Sequence, residues 1–187
     1  MTSARATAPI TPADPGVTIG PARPEDGAAL WRLARDAGEL DLNSPYSYLL
    51  WCRDFAGTTA VARDRSGRPV GFVTGYLRPG APETLFVWQV AVDASHRGTG
   101  MAGALLDALT SRVAAAHGLS RLEATVTPRN TPSDRLFRSY ARRHGAAVTR
   151  EVLFPADAFP GASAPHGTSA ASGHEPEVLY RIGPLTN

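Results

Sequence analysis

The chain predicts an α/β fold, a layered sandwich of strands and helices. Apolar, β-branched runs of strand length recur along it. Between them lie segments whose apolar residues return at helical spacing. The longest strand-like run, Leu85–Val92, passes through a glycine-containing turn directly into a segment of the second kind. At 187 residues and 43% hydrophobic, the chain can bury one good core, so a single domain over residues 17–183 is expected.

Residues 1–16 are small, polar and interrupted by proline, which predicts a disordered N-terminal tail. Val17-Thr-Ile19 reads as a short first strand. Pro24 opens a helix at its first position, with Glu25 and Asp26 favourable to the helix dipole. That helix buries Leu30, Leu33 and Ala34 and ends near Gly38. After the loop Asp41-Leu-Asn-Ser-Pro45 a second helix begins, with Tyr48, Leu49, Trp51, Cys52 and Phe55 inward. Strands at Thr58–Arg63 and Pro69–Leu77 flank Asp64-Arg-Ser-Gly67, a hairpin signal. A strand over Thr84–Val92, a helix over Thr99–His117, a strand over Arg121–Thr127, a helix over Pro132–His144 and a strand over Ala147–Phe154 follow. Residues 161–173 are rich in Ala, Ser, Gly and Pro and predict a flexible loop. Glu177–Ile182 supplies the closing strand.

Composition excludes several classes of function. The net charge is only +2, and the nineteen basic residues, all Arg, are scattered, with Arg142-Arg143 the one adjacent pair. No basic stripe interleaved with aromatics offers a nucleic-acid surface. Apolar runs stay far below membrane-spanning length, and the first residues lack the apolar core of a signal peptide. The single Cys52 permits no internal disulfide, so a cytoplasmic protein is expected. The neighbours Leu49, Trp51 and Phe55 read Cys52 as a core thiol and not a nucleophile.

The chemistry begins at the turn after Val92, Asp-Ala-Ser-His-Arg97-Gly-Thr-Gly100-Met-Ala102. A strand feeding a glycine loop that opens a helix aims several backbone N–H groups and the positive end of a dipole at one spot, which binds phosphate. Gly98-x-Gly100-x-x-Gly103 satisfies the dinucleotide fingerprint on paper, with Glu123 as the distal acid. Five residues, Asp93 to Arg97, separate the strand from the first glycine, and Glu123 lies within a strand pattern and not at its end. Both departures count against a dinucleotide. A P-loop is excluded because no Gly-Lys-Ser/Thr is present.

Strand, Arg97-x-x-Gly100-x-Ala102, then helix resembles the pyrophosphate loop of the GNAT family of N-acetyltransferases. The resemblance implies the GNAT fold, a mixed and mostly antiparallel sheet flanked by helices, with acetyl-CoA as cosubstrate and no metal. It implies that the amides of Arg97, Gly98, Thr99, Gly100, Met101 and Ala102 hold the pyrophosphate. It implies also that the main chain at Val90 and Val92 pairs with the pantetheine arm and polarises the thioester carbonyl, and that the helix begun by Asn130 flanks that arm. A plain N-cap is the alternative for Asn130. Many members carry a Tyr where Phe137 stands, to protonate the leaving thiolate. Phe cannot do so, which leaves Tyr140, on about the same helical face, or water.

Over nearly the whole chain from Val17 to Ile182 there is a narrower resemblance, to the L-2,4-diaminobutyrate acetyltransferases of ectoine biosynthesis. It rests on Asp41-Leu-Asn-Ser-Pro-Tyr-Ser-Tyr-Leu-Leu-Trp-Cys52, Val70-Gly-Phe-Val-Thr-Gly-Tyr76, Leu85–Val92, Asn130-Thr-Pro-Ser-Asp-Arg-Leu-Phe137 and His174-Glu-Pro-Glu177. It implies a small diamine substrate, a homodimer and a role in osmoprotection. An acceptor with two amines and a carboxylate needs oxygens for its ammonium groups; Asp41, Asn43, Glu177 and Glu175 are candidates, with Ser44, Tyr46, Trp88, Gln89 and His174 around them. Asp41-Leu-Asn-Ser as a helix cap and His174–Glu177 as a solvated loop are the plain alternatives. Alternation along the strand puts Trp88 with Val90 on one face and Gln89 with Ala91 on the other. A core Trp is the plain alternative for Trp88, and the resemblance implies that it lines the acceptor pocket. An alkyl amine with a pKa of about 10.4 is uncharged only about once in a thousand at neutral pH, so a base is required. Glu177 is the favoured base, with His174 and Asp41 as alternatives. Other amine acetyltransferases, acting on proteins or aminoglycosides, and a non-catalytic acyl-CoA-binding module stay open at this point.

Overall fold

The computed structural model describes residues 16–38, 42–160 and 174–185. The expected tail before residue 16, the expected flexible loop at 161–173 and Asp41 lie outside the described residues. One sheet of seven strands forms the frame: β1 (Thr18–Pro21), β2 (Thr59–Arg63), β3 (Pro69–Arg78), β4 (Ala81–Val92), β5 (Arg121–Val126), β6 (Ala147–Phe154) and β7 (Glu177–Gly183). Their spatial order is β1-β2-β3-β4-β5-β7-β6. Every neighbouring pair is antiparallel except β4 and β5. Four helices, α1 (Gly27–Ala37), α2 (Pro45–Asp54), α3 (Met101–His117) and α4 (Thr131–Arg143), cover it. The mixed, mostly antiparallel α/β arrangement is the one expected.

Each face of the sheet buries its own core. Leu105, Leu106 and Leu109 of α3 and Phe137, Tyr140 and Ala141 of α4 pack on Leu85, Val87, Leu122, Ala124, Tyr180 and Ile182. On the other face Leu30 and Ala34 of α1 and Tyr48 and Cys52 of α2 pack on Val61, Phe72 and Ala91. The first turn of the predicted first helix is a 3-10 turn, Pro24–Asp26. Asp26 there is buried and takes a hydrogen bond of 2.5 Å from Arg63 Nη2 and another of 2.7 Å from the Arg23 N–H. This buried pair ties the first strand and its helix to β2.

Three local readings need correction. Leu49 and Phe55 are exposed, at 44% and 41%, because the inward stripe of α2 runs through Tyr48, Trp51 and Cys52. Leu49 lies instead over Gly27, where a Cβ would come within 2.7 Å of it. The helix predicted from Thr99 starts at Met101, since Gly100 adopts φ +83° and serves as its cap. Simple alternation also fails at Trp88. Thr74 pairs with Gln89 but Gly75 pairs with Val87, so Trp88 is the extra residue of a β-bulge. The bulge reverses the parity of the strand end. Val90 packs with the α3 core, while Trp88 contacts Trp51 on the α2 side, with ring centroids 4.8 Å apart.

Candidate active site

The one parallel pair is where the sheet opens. Pairing of β4 with β5 runs from Thr84↔Arg121 to Val87↔Ala124 and stops there. β4 continues alone toward Val92, while β5 stays paired with β7 as far as Val126. The resulting cleft has a volume of about 610 Å³. Val90 and Val92 form one wall, the loop and the start of α3 form the floor, and the Asn130–Arg143 face of α4 forms the other wall. Of the residues expected to hold the cosubstrate, Val90, Val92, Arg97, Gly98, Gly100, Met101, Ala102 and Asn130 all line it. Thr99 does not. Its hydroxyl donates to the His96 carbonyl at 2.7 Å and so braces the loop from behind.

The loop is shaped by short hydrogen bonds. Asp93 caps a 3-10 turn at Ala94–His96, accepting the Ser95 N–H at 3.0 Å. The Ser95 hydroxyl bonded to its carboxylate holds Asp93 below its usual pKa. Arg97 Nε donates back to the Val92 carbonyl at 3.2 Å. Gly98 and Gly100 take φ of +76° and +83°, and a Cβ on either would meet nothing within 4 Å. The space outside these glycines is therefore open to a ligand. Ala104 N–H donates to the Gly100 carbonyl at 3.0 Å and is the first helical donor, so the N–H groups of Met101, Ala102 and Gly103, residues that line the cleft, have no acceptor within the helix. His96, Arg97, Arg135 and Arg143 line the cleft, and among the described residues no acidic one does, which suits a ligand carrying several phosphates.

Of the helix that Asn130 begins, sequence reasoning singled out Asn130 but not the later residues that line the cleft. Pro132, Leu136, Ser139 and Arg143 recur at spacings of four, three and four and form one helical stripe along the cleft. Only Leu136 of that stripe is a large apolar residue, so it carries no hydrophobic signal. Asn130 is the N-cap of α4, its side chain accepting the Ser133 N–H at 3.1 Å, and the residue also lines the cleft. Tyr140 does not line the cleft. It is 1% exposed in the core, stacked on His144, and burial pushes its phenol up to about 12. This placement does not support the expectation that Tyr140 protonates the leaving thiolate. Phe137 is likewise a core residue. Cys52 is 1% exposed with its thiol raised to about 12 by burial, which leaves it no part in the chemistry.

The expected acceptor residues gather on the other face of the sheet, the one α2 covers. Tyr48 of α2, taken from sequence only as a core residue, donates its hydroxyl to Gln89 Oε1 at 2.9 Å and is also hydrogen-bonded to Asn43. Burial raises its phenol, so it stays a neutral donor. Asn43, Tyr48 and Gln89 thus form one chain beside the bulge. Trp88 stands over Trp51 with 43% of its surface exposed, and Tyr76 is 6.5 Å from Trp51. Val178, Tyr180 and Ile182 of β7 pack toward α3 and α4, so alternation turns Glu177 to the face shared by Trp88 and Gln89. His174 Nε2 lies 4.0 Å from Glu177 Oε1. Ser44 caps α2, its hydroxyl accepting the Ser47 N–H at 3.4 Å, and Tyr46 is 65% exposed. Glu175 forms an ion pair with Arg129, a placement that does not support its candidacy as an acceptor for the amine. Among the described residues no three His, Cys, Asp or Glu side chains come together as a metal site, and no helix is long and apolar enough to cross a membrane.

The model of the Acetyltransferase (GNAT) family matches residues 28–141. The L-2,4-diaminobutyric acid acetyltransferase of Streptomyces anulatus is 61% identical over 169 residues, 90% of each chain. That of Streptomyces coelicolor is 56% identical over 177 residues, covering 95% of this chain and 98% of the relative. The solved diaminobutyrate acetyltransferase EctA of Paenibacillus lautus, in complex with L-2,4-diaminobutyric acid and coenzyme A, superposes with a TM-score of 0.80 at 43% identity, over 91% of this chain and 96% of that one. The chain belongs to the GNAT acetyltransferase family and, within it, to the L-2,4-diaminobutyric acid acetyltransferases.

Proposed function

We propose that the protein transfers the acetyl group of acetyl-CoA to the 4-amino group of L-2,4-diaminobutyrate, directly and within a ternary complex. The observation that carries this reading is the opening between β4 and β5, with phosphate-binding geometry on the α3–α4 face and a polar, partly aromatic acceptor cluster on the α2 face. A thioester threaded into the gap meets its acceptor without an acetyl-enzyme.

The amine binds against Glu177, Asn43 and Gln89, its methylenes lying on Trp88, with His174 and, from the sequence, Asp41, Ser44 and Tyr46 around it. Glu177 accepts the proton that the amine must lose. The amine nitrogen attacks the carbonyl carbon, the C–N bond forms, and the C–S bond breaks with its electron pair leaving on sulfur. A main-chain N–H at Val90 or Val92 stabilises the developing oxyanion. The thiolate, whose thiol has a pKa of about 8.5, is a tolerable leaving group and takes its proton from water. The product feeds ectoine synthesis, and the reading places the enzyme in the cytoplasm in an osmoprotective role. The edge strand β6 exposes Val152, Leu153 and Phe154, which supports a homodimer.

Thiol release from acetyl-CoA, measured over a panel of amines, tests the reaction. L-2,4-diaminobutyrate is expected to give the highest kcat/KM. A higher value with ornithine, an aminoglycoside or a peptide amine would overturn the assignment, and no release with any amine would leave only an acyl-CoA-binding module.

A further inference from the structure

The segment that enters β7 carries His174 and Glu177. Glu175, between them, ties it to the β5–α4 connection. The Glu175 carboxylate pairs with the Arg129 guanidinium, and its Oε2 also accepts the Arg129 main-chain N–H at 3.1 Å. The guanidinium is 77% exposed, so the ion pair alone is weak. The main-chain bond is a different matter, because its donor sits in the β5–α4 connection and cannot swing away. Pro176 follows and biases Glu175 to extended backbone, leading the chain straight into β7.

The other end of the same residue acts on His174. Its Nδ1 lies 2.6 Å from the Glu175 carbonyl. A carbonyl oxygen only accepts, so Nδ1 carries the proton of the neutral ring and Nε2 presents a lone pair. Phe159 stacks on the ring at 3.8 Å, with the planes 15° apart, and fixes its tilt. Nε2 then faces Glu177 Oε1 at 4.0 Å. Two acceptors at that separation are matched to a protonated amine, which can donate to both.

We infer that Glu175 is a positioning residue. It docks the β7 entry on the β5–α4 connection and fixes the tautomer of His174, so that Nε2 and the Glu177 carboxylate receive the substrate's amine together. The inference rests on the reading of His174 and Glu177 as the acceptor site. It adds a link between the two substrates, since Arg129 precedes Asn130, which lines the acetyl-CoA cleft.

Steady-state kinetics of Glu175→Ala, Glu175→Gln, Arg129→Ala and Glu177→Gln test it, together with 15N NMR of the His174 ring. Glu175→Ala is expected to lower kcat with diaminobutyrate about tenfold, the equivalent of 1.4 kcal/mol. The KM for acetyl-CoA should stay within roughly twofold. Glu175→Gln, whose amide oxygen still accepts the Arg129 N–H, should recover most of the loss. Arg129→Ala keeps that N–H and should lose only about two- to threefold. The neutral His174 ring should read as the Nδ1–H tautomer in the unaltered protein and as a mixture in Glu175→Ala. Unaltered kcat in Glu175→Ala beside an impaired Glu177→Gln would overturn the positioning role alone. So would a loss matched by an equal rise in the acetyl-CoA KM, or an unchanged tautomer. Full activity in Glu177→Gln would overturn the acceptor-site reading, and the inference with it.

Discussion

At Gly100 a backbone requirement and a functional one coincide. Its φ of +83° disfavours any side chain, and the space where a Cβ would stand is open toward the cleft. Gly100→Val should raise the KM for acetyl-CoA more than about tenfold, from strain and lost approach of the amides together. Unchanged acetyl-CoA kinetics in a folded Gly100→Val protein would remove the loop from the site. On the acceptor side, removing a carboxylate that binds an ammonium loses a charge-assisted hydrogen bond, about 1.5–3 kcal/mol, or roughly 10- to 150-fold in kcat/KM. Glu177→Gln should show that loss in kcat and move the acidic limb of the pH–rate profile, as expected of a base. Asp41→Asn, argued from sequence alone, should show it in the KM for diaminobutyrate. The reverse pattern would exchange the two roles. Tyr48→Phe removes the donor to buried Gln89 Oε1 and should cost about 1–3 kcal/mol of stability, read as a shift of the denaturant midpoint.

The elements themselves were nearly all legible, because the chain states them in strong local signals. Pro24 and Pro45 sit at helix starts, Gly38 follows a helix end, and Asp64-Arg-Ser-Gly67 lies between two strands as expected. The cofactor loop was legible for the same reason, since glycines at positive φ and a helix start are local features. The acceptor face was legible only in part. The bulge at Trp88 arises from pairing between β3 and β4, and a period-two pattern cannot register one extra residue. Tyr48 looked like core because it is core, and its hydroxyl meets Gln89 only through a contact 41 residues away in sequence. Tyr140 was misjudged because three-residue spacing from Phe137 was taken to place it toward the cofactor, whereas that whole stripe faces α3 and the sheet. The loop after β4 also has a pH dependence. The carboxyl of Asp93 is held below its ordinary value of about 3.9 in the folded loop, so its stabilising contribution is complete above that value. It is lost as pH falls through the lower folded-state value. Acid should therefore weaken acetyl-CoA binding in the unaltered protein, while Asp93→Asn should bind more weakly at neutral pH and show a flatter acid dependence in a binding titration.

Across the molecule, cosubstrate binding should leave a footprint that crosses the sheet. Acetyl-CoA is expected to slow hydrogen exchange in residues 87–109 and in α4, with no effect from NAD; protection by NAD instead would restore the dinucleotide reading. The footprint follows from the break between β4 and β5. Beyond Val87 the two strand ends flank a space, and in the proposed complex the pantetheine arm would fill it, so that the bound substrate would bridge two half-sheets. A small molecule thereby becomes a term in the folding equilibrium. At a hundred times its Kd it adds about 2.7 kcal/mol, roughly 5–10 °C in Tm for a chain of this size. The amount of intact enzyme would then follow the supply of activated acetyl groups, with proteolysis removing it faster from cells in which that supply has run down.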